Sequence, residues 1–410
     1  MTLSKTKKIV FLSVILVLLA TLIFLLIPKK TLIAFYGLNG KEINAIQSTI
    51  LNLNSKQIKT KKFRFKVFDE QKDLLSQVKK SKPSLVFSVA GSQVKNLCES
   101  KKSRFVLDSV LSDNFDKLTS SMRGMILTKT KKDTIFVDAI PVLSSHYEVA
   151  INMNYYRQLG IKSISTWNDI EKFAERSKKN FNAGIFVDFG TPSSALDFFG
   201  AVTESLSSKT AYDQIVSTVN SYAKDGNFNS ENIVQELLQN GTISKTVKML
   251  KSWDEKNLFA DGTFNATFTS IENFLKSDLV SVSFMTLNTH RTIERKTIEQ
   301  FTSIYVPSMI LASNRSFTSP TIFALPQKNS KQINLLLKEL LNSENQGYLS
   351  VRTGLAPVLS QCKTADKQAD DARFWVASTQ SPVAGLSRDL FLTEDEKSDL
   401  AKSLIAQIRF

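Results

Sequence analysis

The sequence predicts an α/β fold of two lobes behind an N-terminal transmembrane helix. Three features support this prediction: an uncharged apolar run near the start of the chain, a series of alternating strands and helices directly after it, and two apolar segments joined by a short polar connection in residues 133–161. With 410 residues, of which 42% are hydrophobic, the chain can build two or three well-buried globular domains.

The first of these features is residues 9–27, which contain no charged side chain. An uncharged run of this length matches a helix that crosses roughly 30 Å of hydrocarbon. A cleaved signal peptide usually has a shorter apolar region, and no small-x-small cleavage site follows this run. Lysines flank the run on both sides: Lys5, Lys7, Lys8, Lys29 and Lys30. The basic N-terminus favours residues 1–8 in the cytoplasm and the bulk of the chain outside the cytoplasmic membrane, in the periplasm.

Alternating strands and helices begin directly behind this predicted anchor. Their apolar spacing predicts strands at residues 31–37, 63–68 and 84–89, with helices at residues 42–53 and 73–78 between them. This order is typical of a parallel sheet, which binds ligands at the carboxyl ends of its strands. The polar side chains at those ends are candidate ligand-binding residues, with ordinary turn residues as the alternative: Tyr36, Asn39, Ser88 and Ser92.

The polar connection within residues 133–161 predicts a crossover from one sheet to another. Pro141 has a fixed φ and no N–H, which suits a strand edge. Residues 144–148 follow as the connection, and a second apolar run comes after them. The pattern then becomes helical and ends at Gly160, and Thr166 is positioned to cap the next helix.

The second half of the chain predicts a further set of strands and helices. Helical spacing falls on residues 167–177, 195–205, 242–257, 271–276, 333–342 and 394–408, and strand patterns fall on residues 183–189, 279–285 and 320–326. Trp253 lies on the apolar face of one of these helices, which favours a core position over a ligand platform.

The order of residues around the crossover resembles the hinge region of the bacterial extracellular solute-binding proteins of ABC sugar importers, the maltodextrin-binding class (family 1). That hinge has a proline, small or polar residues, a short strand ending in Asn, a helix closing on Gly-Ile, and then Thr-Trp and an acidic residue. The matching positions here are Pro141, residues 144–148, Asn152, Gly160-Ile161 and Thr166-Trp167-Asp169. Residues 353–357 also match the family's Thr-Gly-x-x-Pro loop.

This resemblance implies a periplasmic-binding-protein fold of type II, with the ligand between two lobes. It places one lobe at residues 31–142 and 319–360 and the other at residues 143–318 and 361–410. It also implies that the chain captures a small solute, a carbohydrate, for ABC permease subunits. No cofactor is expected.

In such an arrangement, residues at strand ends or in hinge loops face the cleft and form the predicted ligand site: Tyr36, Asn39, Ser88, Ser92, Tyr147, Ser194, Asn288 and Arg291. Arg291 is the cation of this set, with forked donors for hydroxyls or a carboxylate. The family usually stacks several tryptophans or tyrosines on its sugars, and it commonly has Trp where this chain has Leu287-Asn288. The aromatic residues near the predicted cleft loops are Phe35, Tyr36, Tyr147 and Phe189.

This shortage of stacking rings leaves a second interpretation open. The chain would then be a tethered envelope protein that keeps the fold as an interaction or sensor module and transports nothing. A third interpretation, an extracytoplasmic enzyme, has the least support, because His-Glu-x-x-His, Cys-x-x-Cys, Gly-x-Ser-x-Gly and the nucleotide-binding loops are all absent from the sequence.

Charge, histidines and cysteines complete the sequence-based picture. The 53 basic and 38 acidic residues give a formal net charge of +15, but the lysine clusters lack interleaved aromatics, so we expect solvated faces and no nucleic-acid partner. His146 in the hinge and His290 in a cleft loop are compatible with ligand binding or with polar positions at a rim. Cys98 and Cys362 both lie outside the cytoplasm in this arrangement, where disulfides persist, and the sequence leaves their pairing open.

Overall fold

The seven-stranded sheet A begins with the strand that follows the predicted anchor. Its strands are β1 (Thr31–Tyr36), β2 (Phe63–Val67), β3 (Leu85–Val89), β4 (Leu127–Lys131), β5 (Thr134–Ser144), β11 (Thr321–Pro326) and β12 (Ala356–Pro357). The spatial order is β12-β5-β11-β3-β1-β2, and β4 pairs with β5. As predicted, β1 lies parallel to β2 and β3, whereas β11, β5, β12 and β4 add to the sheet in antiparallel pairs.

In the computed structural model, the described residues are 31–53, 63–100, 113–131, 134–267, 270–308, 316–362 and 381–409. Within these ranges, no helix combines the length and the apolar character that crossing a membrane requires. The anchor predicted at residues 9–27 lies outside the described residues.

Helices cover both faces of sheet A. They are α1 (Gly40–Asn52), α2 (Leu74–Ser81), α3 (Ser92–Glu99), α4 (Ser120–Gly124), α14 (Lys331–Leu340) and α15 (Ser343–Thr353). Because successive strand residues point to opposite faces, β1 contributes to two separate cores. Phe35 packs with Ile46 of α1 on one face, and Ala34 packs with Leu97 of α3 on the other.

The four-stranded sheet B has the order β7-β8-β6-β9. Its strands are β6 (Tyr147–Asn152), β7 (Gly184–Phe186), β8 (Val280–Thr286) and β9 (Phe301–Tyr305). The central strands β6 and β8 are antiparallel, and β7 lies parallel to β8. A short parallel pair, β10 (Ser316–Thr318) with β13 (Ser381–Val383), stands apart from both sheets.

Most of the remaining helices surround sheet B. They are α5 (Met153–Gln158), α6 (Trp167–Phe181), α7 (Pro192–Leu206), α8 (Lys209–Lys224), α9 (Ser230–Gln239), α10 (Ser244–Glu255), α11 (Ile271–Lys276), α12 (Leu287–His290), α13 (Arg295–Ile298), α16 (Leu386–Asp389) and α17 (Glu394–Arg409). Trp253 of α10 is fully buried against Trp167 and Phe284, so the predicted core position of this tryptophan is confirmed.

The chain passes from sheet A to sheet B at Ser145 and His146, between the end of β5 and the start of β6. It returns from β9 through β10 to β11, which pairs with β3 and β5. The final helices α16 and α17 then pack on α7. These two crossings bring the end of β1, the start of α1 and the end of β8 to a common region of the molecule.

The two cysteines occupy separate cores. Cys98 lies with the α3 side of sheet A, and Cys362 lies with the α1 side. Both side chains are buried, and no disulfide joins them. Their sulfur atoms therefore contribute as small apolar groups to packing on opposite faces of the sheet.

Candidate functional site

A cavity of about 280 Å³, which we call the inner cavity, lies between elements of the two sheets. Sheet A contributes the turn after β1, including Asn39 and Glu42, and the region of sheet B contributes Asn288 and Asp197. Ser145, at the first crossing, also lines it. Loops at strand ends of α/β sheets are the usual position of ligand sites. The inner cavity is therefore the best candidate for a binding site among the described residues.

Glu42 joins the two sides of the inner cavity. It is the N3 residue of α1, where its Oε2 accepts the backbone N–H of Asn39 at 2.9 Å while the Asn39 side chain accepts the N–H of Glu42 at 2.9 Å. The other carboxylate oxygen accepts a hydrogen bond from Asn288 Nδ2 at 3.1 Å. Burial raises the pKa of Glu42, and the N–H of Asn39 and the charge of Arg388 oppose this rise.

Asp197 supplies a second carboxylate from α7. Its Oδ1 accepts the backbone N–H of Ser387 at 2.8 Å, and its Oδ2 accepts the Ser387 hydroxyl at 2.9 Å. Burial raises the pKa of Asp197 to about 6, although these hydrogen bonds and the charge of Arg388 favour the ionised form. The carboxylate thus fixes the start of α16 and lines the cavity at the same time.

Arg388 is the cationic side chain at the centre of this region. A Cβ placed on Gly37 would lie 3.3 Å from Arg388 Nη1, so the guanidinium runs close beside the β1 turn. Arg388 also lines a second, larger cavity of about 590 Å³, which we call the outer cavity. Gly37, Glu70 and Val89 line both spaces as well, so the inner and outer cavities adjoin each other at Arg388.

Helices α3 and α16 are in direct contact beside the outer cavity. Ser92 Oγ donates to the carbonyl oxygen of Arg388 at 3.0 Å, and Lys95 Nζ pairs with Asp389 Oδ1 at 2.9 Å. Gly91 allows this approach, because a Cβ at its position would lie 2.4 Å from the Arg388 carbonyl oxygen and its φ is +142°. We call this set of contacts the α3–α16 bridge.

Two polar atoms of the inner cavity lack a partner within the part of the chain that the structure describes. The Oγ atom of Ser145, a residue only 3% exposed, has no hydrogen-bond partner there. The same holds for Oδ1 of Asn288, whose Nδ2 is committed to Glu42. Buried polar atoms in this condition normally bond to water or a ligand. Both atoms line the inner cavity.

The structure places four of the eight predicted ligand residues at the two cavities. Asn39 and Asn288 line the inner cavity, and Tyr36 and Ser92 line the outer one. Tyr36 is mostly buried, its hydroxyl donates to the Glu70 carbonyl at 3.3 Å, and burial raises its pKa to about 12.

The other four predicted residues line neither cavity. Ser88 is fully buried in β3, with its hydroxyl donating to the carbonyl of Val89. Tyr147 is also buried, and burial raises its pKa well above the ordinary value. Ser194 lies in the first turn of α7 and is partly buried. The side chain of Arg291 runs beside Gly354.

The two histidines are buried, which contradicts the expected rim position. His146 and His290 are almost fully buried, so they are not polar residues at a rim, and neither lines a described cavity. His146 Nε2 lies 2.8 Å from Glu148 Oε2, and His290 Nδ1 bonds to Oε1 of the same carboxylate. Burial alone would raise the pKa of Glu148, but the two histidines hold it well below its ordinary value.

Sequence reasoning missed Glu42, Ser145, Asp197 and Arg388 as cavity residues. Glu42 could have been predicted from the sequence. Asn39 is followed three residues later by Glu42, and this spacing at the start of a helix is a capping pattern. Ser145 belongs to the polar crossover. Asp197 and Arg388 had no local signal, since their position depends on contacts between segments about 190 residues apart, such as Asp197 with Ser387.

Aromatic rings are scarce around the cavities. Phe35 and Phe189, two of the aromatics expected near the cleft, lie in the cores of the molecule. Among the described residues, the inner cavity has no aromatic lining residue and the outer cavity has Tyr36 and Phe391. No group of three or more His, Cys, Asp or Glu side chains in the described part of the chain is arranged to hold a metal ion. Polar contacts rather than ring stacking therefore dominate the lining.

Comparisons with known proteins identify the fold. No protein-family profile and no curated protein sequence matches the chain. By structure, the chain is similar to the bacterial solute receptor AcbH, which is described with an exclusive substrate preference for β-D-galactopyranose. The two chains share 12% sequence identity and align with a TM-score of 0.67, over 92% of this chain and 97% of AcbH. The binding protein MsmE of Bacillus subtilis, in an open conformation, gives 14% identity and a TM-score of 0.64 over 93% of each chain.

A third similar structure is the solute-binding protein RafE in complex with raffinose, at 12% identity and a TM-score of 0.58 over 93% of this chain and 99% of that one. All three similarities extend over nearly the whole of both chains, so they describe a common architecture and not a shared fragment. The resemblance identified from the sequence is confirmed at the level of the fold. The chain has the two-sheet α/β fold of the bacterial solute-binding proteins.

Proposed function

We propose that this protein is an extracytoplasmic solute-binding protein that captures a small carbohydrate for an ABC importer. The observation that carries the proposal is the inner cavity, because polar residues from the elements of both sheets line one common space. Its volume of about 280 Å³ is slightly below the roughly 300–1,000 Å³ range of small-molecule sites. A ligand of one or two sugar rings is of that size class.

The lining chemistry supports a polyhydroxylated ligand. Carboxylates accept hydrogen bonds from hydroxyl groups, the Arg388 guanidinium donates to hydroxyl oxygens, and Ser145 and Asn288 supply neutral partners. Ring stacking contributes little, since the inner cavity has no aromatic side chain among its described lining residues. Each missing stacking contact removes on the order of 1 kcal/mol, so sugar affinity should be lower than in a cleft with several rings.

Solute capture in this form involves two lobes. We assign residues 31–142 and 319–360 to one lobe and residues 143–318 and 361–410 to the other. The assignment is supported by the distribution of the strands over sheets A and B and by the chain crossing at Ser145 and His146. AcbH is described with a preference for β-D-galactopyranose and RafE with bound raffinose, which supports a carbohydrate as the solute.

The proposed protein is attached to the cytoplasmic membrane by residues 9–27 and exposes its lobes to the periplasm, where ABC permease subunits receive the solute. The uncharged run and the absence of a cleavage signal support this attachment. N-terminal sequencing of the membrane-extracted protein tests it. A mature start near Lys29 or Thr31 would contradict a retained anchor.

Calorimetric titration of the full chain in detergent with mono- and oligosaccharides tests the binding function. We expect binding that weakens about tenfold or more in Asn288→Ala, because this variant removes a polar partner and the link to Glu42. Asn180→Ala is the matched control, since Asn180 donates to the Arg176 carbonyl of its own helix and lines neither cavity. Failure of every sugar to bind would favour the tethered interaction or sensor module instead.

A further inference from the structure

We propose that the inner cavity selects a positively charged sugar, one that carries a protonated amine among the Glu42 and Asp197 carboxylates and Asn288 Oδ1. This inference rests on the proposed function, because it specifies the ligand class of the same cavity. It follows from three properties of the lining: its net charge, its carboxylate acceptors, and two buried polar atoms that lack a partner.

The charge of the inner cavity is opposite to that of the whole chain. The chain has a formal net charge of +15. Among the described residues, in contrast, the inner cavity is lined by three acidic residues, Glu42, Glu70 and Asp197, and by one basic residue, Arg388. A space with low-dielectric walls and one sign of charge concentrates ligands of the opposite sign.

The adjoining outer cavity continues the same negative charge. Its charged lining residues are five acids and three bases: Glu70, Asp73, Glu394, Asp395, Glu396, Lys72, Arg388 and Lys397. Two of these bases are already paired, since Lys72 bonds to Asp69 and Lys397 bonds to Glu394. A ligand that approaches the inner cavity from this side therefore meets excess negative charge before it reaches Arg388.

Acidic residues outnumber basic ones by three to one among the described lining residues of the inner cavity. A carboxylate only accepts hydrogen bonds, and among the charged lining residues described here the donors come from Arg388. The orientation of the Asn288 amide follows from its contact with Glu42, since Nδ2 donates to Glu42 Oε1 at 3.1 Å. Its Oδ1 is then an acceptor without a partner in the described part of the chain.

Ser145 provides the independent evidence that the space receives a ligand. The residue is 97% buried, it lines the inner cavity, and its Oγ has no partner among the described residues. A hydroxyl in this position can bond to a sugar hydroxyl, while an ammonium group, with three donors, satisfies the carboxylates and Asn288 Oδ1. A protonated amino sugar supplies both kinds of group in one molecule.

The electrostatic cost of ligand binding favours a cation further. A bound sugar displaces water from the carboxylates, and a neutral sugar leaves their excess charge without compensation. Burial raises the pKa of Glu42 and that of Asp197 against the opposing charge of Arg388, so removal of water disfavours the ionised form of both carboxylates and a nearby cation stabilises it. An ammonium group would restore the balance, whereas a uronic acid or a sugar phosphate would add repulsion.

The test is a calorimetric titration of the full chain in detergent at about pH 7, where a sugar amine is largely protonated. The probes are glucosamine and galactosamine, each compared with its neutral parent sugar and its N-acetylated form. We expect each amino sugar to bind about tenfold or more tightly than its two neutral counterparts. Equal or tighter binding of the neutral sugars would overturn the inference but leave the proposed sugar-binding function intact. No binding of any of these sugars would count against both.

Isosteric variants locate the effect in the cavity. Glu42→Gln and Asp197→Asn each remove one negative charge, so each should reduce the ratio of amino-sugar to neutral-sugar affinity by about three- to tenfold. Two variants are used because Glu42 also caps α1 and its replacement can disturb that helix. Glu299→Gln is the control, since Glu299 is exposed, pairs with Arg295 on α13 and lines neither cavity. An unchanged ratio in both cavity variants, or an equal change in the control, would contradict the proposal.

Discussion

At the scale of single residues, the carboxylate of Glu148 is a fully buried charge. Its two oxygens face His146 and His290, and all three side chains are at most 2% exposed. A buried charge of this kind is tolerated only with partners, and loss of one partner leaves the others uncompensated. The cluster lies next to the crossing from sheet A to sheet B, so it fixes the local path of the chain. Its role is structural.

Replacing this carboxylate should therefore destabilise the fold. We expect Glu148→Gln to lower the free energy of unfolding by about 3 kcal/mol near pH 7. Because the pKa of Glu148 is lowered in the folded protein, its contribution is present above the ordinary value of 4.5 and is lost as the pH falls through the folded value. Urea denaturation at about pH 7 and about pH 4 measures the difference, which should shrink at the lower pH. The exposed Glu299→Gln serves as control, and equal stability of Glu148→Gln and wild type at pH 7 would disprove the expectation.

Asp197 has the opposite pH dependence. Burial raises its pKa from 3.8 to about 6, so its contribution to stability is most favourable below 3.8 and is lost as the pH rises through about 6. Between about pH 4 and pH 8, the free energy of unfolding of Asp197→Asn should therefore rise relative to that of wild type by about 1–2 kcal/mol. This value is smaller than the full pKa shift would give, because the side chain is partly exposed. Denaturant midpoints across this pH range measure the change. A constant difference would mean that the carboxylate is fully solvated.

Single residues also mark the limit of prediction from sequence. Asn39 and Asn288 were predicted because each follows a strand, and both line the inner cavity. Ser88 follows the same rule, but it points into the sheet A core because side chains alternate along a strand. Arg388 sits in a four-residue helix whose position is set by Asp197 and Tyr212, distant in sequence. Tertiary contacts of this kind leave no local pattern.

At the scale of secondary structure, caps and apolar spacing predicted most elements to within a few residues. Thr166 caps α6 with Asp169 in a capping box, as its sequence predicted, and the final helix begins at Glu394. The helices α8 and α9 are absent from the sequence-based order, although Ser208 and Asn229 cap them. The antiparallel insertion of β11 between β3 and β5 was also beyond local patterns, because pairing partners lie more than 170 residues apart.

The C-terminal helix α17 packs into the core around sheet B. It contacts α7, α9 and α10. Its buried side chains are Leu400, Ala401, Leu404 and Ile408. Full burial of each large aliphatic side chain contributes roughly 1.5–3 kcal/mol, so the helix contributes an amount comparable to the stability of a whole domain.

Deletion of residues 394–410 should consequently loosen sheet B and spare most of sheet A. Hydrogen exchange of the amides in β6 and β8 should accelerate strongly, while amides in β1 and β3 should keep most of their protection. A chain that lacks only Phe410 is the control. Uniform loss of protection in both sheets would show that the two cores fold as one cooperative unit, contrary to this expectation.

At the scale of the whole molecule, the α3–α16 bridge and the Glu42–Asn288 hydrogen bond hold the two sheet regions together across the cavities. In the ion pair of Lys95 with Asp389, the lysine side chain is 60% exposed and the aspartate side chain is 3% exposed. An isolated exposed pair contributes little, typically below about 1 kcal/mol. The backbone approach at Gly91 therefore decides how closely α3 and α16 meet.

A methyl group at this glycine should separate the two regions. In Gly91→Ala the added Cβ would lie 2.4 Å from the Arg388 carbonyl oxygen, and the φ of +142° is unfavourable for alanine, so the start of α3 must move away from α16. We expect the Ser92 hydrogen bond to be lost, the radius of gyration from solution X-ray scattering to increase, and the free energy of unfolding to fall by about 2 kcal/mol or more. Gly124→Ala is the matched control, because no atom lies within 4 Å of the added Cβ and alanine favours the helix. If both variants kept the wild-type radius and stability, the α3–α16 bridge would not be what holds the two sheet regions together.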